Sequence, residues 1–189
     1  MKTLTFVILM ALILMVGCSP ENPVAVESEK KSINEDAVSP LNKPAGRPLA
    51  LVAKYRETWE TVKPPDFAVG DPIAEVVIQG YGKATHLGFS TLYIHEFINL
   101  GVTPNILNGD YFALTSVKTG DKLEGTVEGQ SEGDAEGNLR FWGTVNFTGG
   151  TGKYVGATGQ AQFEGGGKND LATGTGSGWV KFRGYLYLP

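Results

Sequence analysis

The sequence predicts an all-β fold, a single eight-stranded antiparallel up-and-down β-barrel over residues 49–189. Three observations carry that prediction. From Leu49 onward, 24 of the chain's 26 glycines punctuate runs in which apolar and polar residues alternate, the two-residue period of strands with one buried face. No stretch of the domain keeps a 3.6-residue apolar period over three turns, so no helix would have an apolar stripe to bury. The runs number eight, and short turns join them. Each strand can then lie beside the last, and closure of the eighth on the first removes both sheet edges. An open sandwich is the structural alternative, but short connections favour a meander over the long crossings of a Greek key.

The first run, Leu49 to Val62, alternates through Leu51, Ala53, Tyr55, Glu57 and Trp59 and stops at Pro64-Pro65. Ile73 to Tyr81 follows, and after a glycine-rich bend Leu87 to Ile98 carries Phe89, Tyr93 and Phe97 on one parity. Asn108-Gly109-Asp110 has the composition of a turn before Tyr111 to Lys118, and Thr119-Gly120-Asp121 that of a tight hairpin into Leu123 to Glu132. The last three runs are Leu139 to Thr148, Val155 to Glu164 and Thr173 to Leu188. In a closed barrel every second residue faces inward. The more apolar parity is Leu139, Phe141, Val145 and Phe147 on the sixth run, and Val155, Ala157, Ala161 and Phe163 on the seventh. On the eighth it is Val180, Phe182, Leu186 and Leu188. The rings of Phe141, Phe147, Phe163 and Phe182 would fill much of so small an interior. The expectation is a mostly packed core with at most a shallow pocket at one mouth.

The N-terminus has the pattern of a secretory signal. Lys2 supplies the positive charge, and Phe6 to Val16 is an unbroken apolar run of eleven residues. That is short of the roughly 20 needed to span a bilayer and suits a signal peptide's apolar region. Met15-Val16-Gly17-Cys18 then resembles the lipobox of bacterial lipoprotein precursors, with Met15 where leucine is commonest. The resemblance implies that residues 1–17 are removed and that Cys18 is lipidated. Cys18 is also the only cysteine, so no internal disulfide competes for it. Two or more acyl chains hold stably where one does not, and the lipid alone accounts for a membrane partner. Ser19 after the cysteine is what the lipoprotein family usually shows for delivery to the outer membrane of a diderm host.

Residues 18–48 form the expected tether. From Ser19 to Pro48 there is no aromatic residue, five prolines interrupt the segment, and five acidic residues nearly balance four basic ones. Such a composition buries too little apolar surface to offset the entropy of ordering. Its reach is on the order of 30 Å. Loss of Lys2 leaves 15 basic of the original 16 against 20 acidic residues. No basic patch is present, which argues against a nucleic-acid partner.

The most informative string is Gly149-Gly150-Thr151-Gly152-Lys153-Tyr154-Val155-Gly156-Ala157-Thr158-Gly159. Gly-x-Gly-Lys is similar to a phosphate loop, but Tyr154 stands where Ser or Thr would meet magnesium and a strand follows where a helix should begin. The physical reading is a strand-to-strand corner in which Gly149, Gly150 and Gly152 permit positive φ. Gly156 and Gly159 leave room for a neighbouring strand or an aromatic ring. The string resembles the signature of allene oxide cyclases, dirigent proteins and many bacterial secreted proteins of the same calycin-like barrel. Phe182-Arg183-Gly184-Tyr185-Leu186 is similar to the cyclases' last strand, and Thr85-His86-Leu87-Gly88 to a string of the bacterial branch. The resemblance implies the eight-stranded barrel reached independently above, and it transfers no catalytic residue.

Residue chemistry is sparse. The two histidines, His86 and His95, are nine apart and would face opposite sides of one strand. With no further cluster they offer no zinc set. His86 stays of interest as a polar residue at a barrel mouth. No Gly-x-Ser-x-Gly elbow is present. Glu75, Glu96, Glu128 and Glu164 lie in strands; solvent-facing positions are the ordinary expectation, while one turned inward would have a raised pKa and proton-transfer capacity. Trp59, Trp142 and Trp179 are expected to pack or cap rather than serve as ligand platforms. No cofactor is implied. The expected function is an envelope-anchored, non-enzymatic lipoprotein whose barrel binds a small apolar ligand or an envelope protein. The alternatives are a cofactor-free isomerase or cyclase and a purely structural module. An inward carboxylate facing an open apolar cavity would favour the enzyme.

Overall fold

The computed structural model describes residues 47–189; the signal segment, Cys18 and nearly all of the tether lie outside the described residues. The strands are β1 (Leu49–Lys63), β2 (Ile73–Ala84), β3 (Gly88–Asn99), β4 (Asn105–Ser116), β5 (Lys122–Gly133), β6 (Asn138–Gly150), β7 (Thr158–Asp170) and β8 (Thr175–Tyr187). Each pairs antiparallel with the next, and β8 pairs back onto β1 from Leu49↔Leu186 to Glu60↔Thr175. The predicted closed up-and-down barrel is therefore what forms.

Alternation does the folding. Along β1 burial switches at every residue from Ala50 to Glu60, so the strand has one parity to bury and one to solvate. On β6 and β8, Val145, Phe147, Val180, Phe182 and Leu186 turn inward as their parity predicts. The hairpin at Gly120 also forms where expected, with φ +75° and its N–H donated to the Ser116 carbonyl.

Two local expectations fail. Asn108-Gly109-Asp110 is not a turn, because β4 runs through it and bonds to both neighbours. The register shifts at this point against both β3 and β5, which marks a β-bulge, the other use of a glycine inside a strand. Nor does the seventh strand start at Val155. Gly152–Tyr154 makes a short 3-10 turn that throws Val155 outward, 63% exposed, and β7 begins only at Thr158.

The barrel has two unlike ends. At the end where β1 begins, Tyr55, Phe112, Phe147 and Phe182 pack at centroid separations of 5.6–6.0 Å. Leu51, Leu114, Leu123 and Leu186, all fully buried, fill the space around them. Tyr154 closes this end from the 3-10 turn with its whole side chain buried. At the other end, reached by the 64–72, 100–104, 134–137 and 171–174 connections, the lumen is open.

Candidate functional site

The open half encloses a cavity of about 360 Å³. This corrects the expectation of a packed interior with at most a shallow pocket. The aromatic rings are present, but in the open half they lie against the wall instead of crossing the lumen. Trp59 lies over Gly167 and Gly176, Phe141 over Gly165, and Phe163 over Gly129 and Gly143. At each of these glycines a Cβ would collide with the ring. The glycine content thus converts wide side chains into a thin lining and leaves space in the middle.

Most of that lining is apolar: Ala74, Val76 and Ile78 from β2, Leu107 from β4, Val127 from β5 and Val180 from β8 are representative. Two carboxyls interrupt it. Glu57 continues the inward parity of Leu51, Ala53 and Tyr55 and is the deepest lining residue from β1. Glu96 lies between Ile94 and Ile98 on the inward parity of β3. They are 4% and 5% exposed. Burial pushes Glu57 up to about 8, with the nearby charge of Glu96 adding to the rise. Burial alone pushes Glu96 up to about 7. Neither has a hydrogen-bond donor or a cation beside it from the described residues. Around neutral pH the two groups therefore hold at least one proton between them.

Polar groups return only towards the mouth. The Trp59 indole N–H donates to Asn169 Oδ1 at 3.0 Å, Thr61 Oγ1 donates to the Gly174 carbonyl at 3.0 Å, and Asn105 Nδ2 donates to Ser131 Oγ at 3.3 Å. These bonds hold β1 to β7 and to the β7–β8 connection, and β4 to β5, at the rim. The connections around the mouth expose Phe67, Val69, Leu100, Val102 and Leu171, an apolar collar at the entrance.

Sequence reasoning singles out four strand glutamates, and the structure separates them. Only Glu96 faces inward. Glu75 is on the outer wall, 2.9 Å from His95 Nε2. Glu128 is exposed, and Glu164 lies outside, 3.7 Å from Lys181 Nζ. Glu57 is missing from that set, although an acid on the apolar parity of a strand is a legible signal. Trp59 lines the cavity, whereas Trp142 and Trp179 lie on the outer wall beneath the cations of Arg140 and Lys181.

The histidines do not converge. His95 sits on the outer wall between Glu75 and Asp110, the latter at 2.6 Å, and the hydrogen bonds to these two carboxylates raise its pKa. His86 occupies the β2–β3 turn with φ +68° and a ring nitrogen 3.0 Å from the Ala50 carbonyl. It lies at the packed end and does not line the cavity. Among the described residues no group of three His, Cys, Asp or Glu side chains forms a metal ligand set.

The glycine string builds the packed end. Gly149, Gly150, Gly152, Gly156 and Gly159 all take positive φ. At Gly152 a Cβ would collide with the Asp121 carboxyl, and at Gly150 with the Lys122 carbonyl. Lys153 donates through Nζ to the His86 carbonyl, tying this corner to the β2–β3 turn.

Fold and cavity together define a closed, half-packed eight-stranded barrel with a one-mouthed lumen that holds two buried carboxyls. Comparisons of the chain with protein families, with curated proteins and with solved structures found no match.

Proposed function

We propose that this protein is a small-molecule-binding module of the bacterial cell envelope, tied to the outer membrane by lipid on Cys18. Its barrel takes an apolar ligand bearing one polar group through the open mouth. The observation that carries this reading is the cavity itself: about 360 Å³, apolar-walled, and holding two buried carboxyls without protein partners. Ligand sites are typically such mainly apolar concavities with a few polar groups that fix orientation. Support for the anchor is the apolar run Phe6 to Val16 followed by the chain's one cysteine. The first described strand begins at Leu49, at the packed end, opposite the mouth. The glycine-string resemblance to the cyclase and dirigent barrels agrees with this reading.

Two measurements test it. Pyrene, a neutral apolar probe, should move into the barrel and show the vibronic band pattern of a dry environment. Leu107→Trp, which fills the lumen, should abolish that change while the far-ultraviolet dichroism stays the same. Equal pyrene signals in both proteins would remove the binding reading. Native mass spectrometry of the purified protein would show any ligand retained from the cell. For the anchor, Cys18→Ala should leave an uncleaved, unacylated precursor; normal processing and membrane fractionation of that variant would dispose of it.

The carboxyl pair also favours a second reading, a cofactor-free isomerase. Two acids that titrate around neutrality can donate and accept a proton in one site. Such an enzyme would catalyse deuterium exchange from heavy water into the α-carbon of a bound ketone, and Glu96→Gln would stop it.

A further inference from the structure

The cavity's charge is one-sided. Glu57 and Glu96 near the floor and Asp134 at the mouth are its charged lining residues, and no lysine, arginine or histidine among the described residues lines it. The other strands contribute apolar side chains to the same cavity, among them Ile78 from β2, Val127 from β5, Val145 from β6 and Val180 from β8. Tyr55, one inward place below Glu57, stays neutral, since burial pushes its hydroxyl up to about 12.

A carboxylate held in such a place without a partner is strongly unfavourable, and two close together cannot both ionise cheaply. Four ring-bearing side chains, Trp59, Phe141, Phe163 and Phe182, also line the cavity, and the faces of such rings attract cations. We propose that the ligand is an organic cation, a protonated amine with an apolar body. Its ammonium N–H groups donate to the carboxyls of Glu57 and Glu96, and its body lies among the aromatic rings. This rests on the reading of the cavity as a ligand site and names the class of ligand. Other classes fit less well. A ligand carboxylate would meet like charge at the floor. A divalent metal ion would find two carboxyls where calcium takes six to eight oxygens. A neutral alcohol can hydrogen-bond to the protonated acids but compensates no charge.

One ammonium balances one carboxylate, so its binding favours the singly ionised pair and releases a proton to the buffer from the fraction in which both acids are protonated. Proton release accompanies amine binding and not alcohol binding.

The experiment is calorimetric titration of the full-length chain with 4-phenylbutylamine, 4-phenylbutanol and 4-phenylbutyrate, three probes of one shape. The amine is expected to bind about tenfold or more tighter than the alcohol, a difference of about 1.4 kcal/mol. The carboxylate should bind more weakly than either. Amine enthalpies should vary with the ionisation enthalpy of the buffer, reporting the released proton. Glu57→Gln and Glu96→Gln should each cost the amine about tenfold and cost the alcohol much less, because the amide still hydrogen-bonds a hydroxyl but compensates no charge. Glu164→Gln on the outer wall should alter neither. Thermal melts check that each variant is folded. Equal affinity for amine and alcohol, or an undiminished amine affinity in the double glutamine variant, overturns the cation proposal and leaves the binding site standing. The cation proposal fails equally if Glu164→Gln weakens the amine as much as the floor variants do, since the attraction is then a surface effect. Binding of none of the three probes overturns the ligand-site reading along with it.

Discussion

Tyr154 has a buried side-chain polar atom, its hydroxyl, without a hydrogen-bond partner. Its ring is wholly buried in the core at the packed end, so its phenol is desolvated with nothing in return, a cost of ~1–3 kcal/mol. Tyr154→Phe should therefore leave stability unchanged or raise it, whereas Tyr154→Ala should lower it by ~3–5 kcal/mol. Urea denaturation distinguishes these outcomes, and a large loss for the phenylalanine variant would show that the hydroxyl has a partner. Glu57 is the opposite case, since its ionised form is the one out of place. Its folded pKa of about 8 stands above the ordinary 4.5, so the folded state binds a proton that the unfolded chain gives up. Stability accordingly falls as pH rises from about 4.5 to about 8, and the full penalty persists above that. Glu57→Gln should match the parent protein near pH 5 and exceed it near pH 9. A stability difference independent of pH would mean that the carboxyl is solvated after all.

At the scale of the strand, β6 shows how far parity is reliable. Phe147 is 4% exposed and packs on Phe112 at 6.0 Å. Asn146, its neighbour of the other parity, accepts a hydrogen bond from Gln160 on the outer wall. Phe147→Ala should cost ~3–5 kcal/mol, and Asn146→Ala should stay within ~0.5 kcal/mol. Equal small losses at both sites would contradict the register of β6 against its neighbours. Alternation made this face legible because period two is a property of the strand alone. The bulge in β4 was not legible in the same way. Asn108-Gly109-Asp110 has turn composition, but a turn requires the chain to reverse, and here the pairing of β3 and β5 on either side holds it extended.

The whole molecule is expected to be a barrel that folds without its N-terminal segment. A chain beginning at Pro48 should melt at the same temperature as one carrying residues 19–47, and that segment should be cut first in limited proteolysis. A truncated chain melting many degrees lower would show that the tether packs on the barrel. The closed sheet has all eight strands paired on both sides, so it needs no further element to cover an edge.

The sequence by itself determined the strand count, the inward parity of most positions on β6 and β8, the hairpin at Gly120 and the antiparallel meander. All of these follow from residues close together in the chain. Short connections force consecutive strands to pair, and pairing them in order around a ring is what an up-and-down barrel is. Only the tertiary structure decided which inward residues share a level of the lumen. That level depends on the register accumulated from strand to strand, including the bulge in β4, and on the closure of β8 against β1. The pairing of β1 and β3 on either side of β2 makes Glu57 and Glu96, 39 residues apart in sequence, one electrostatically coupled pair. Only the structure, too, decided whether four inward rings fill the barrel or line it. The answer depends on which glycine stands beneath each ring on the next strand, as Gly165 does beneath Phe141. Composition counts the glycines, but the register between strands determines which ring lies flat against the wall.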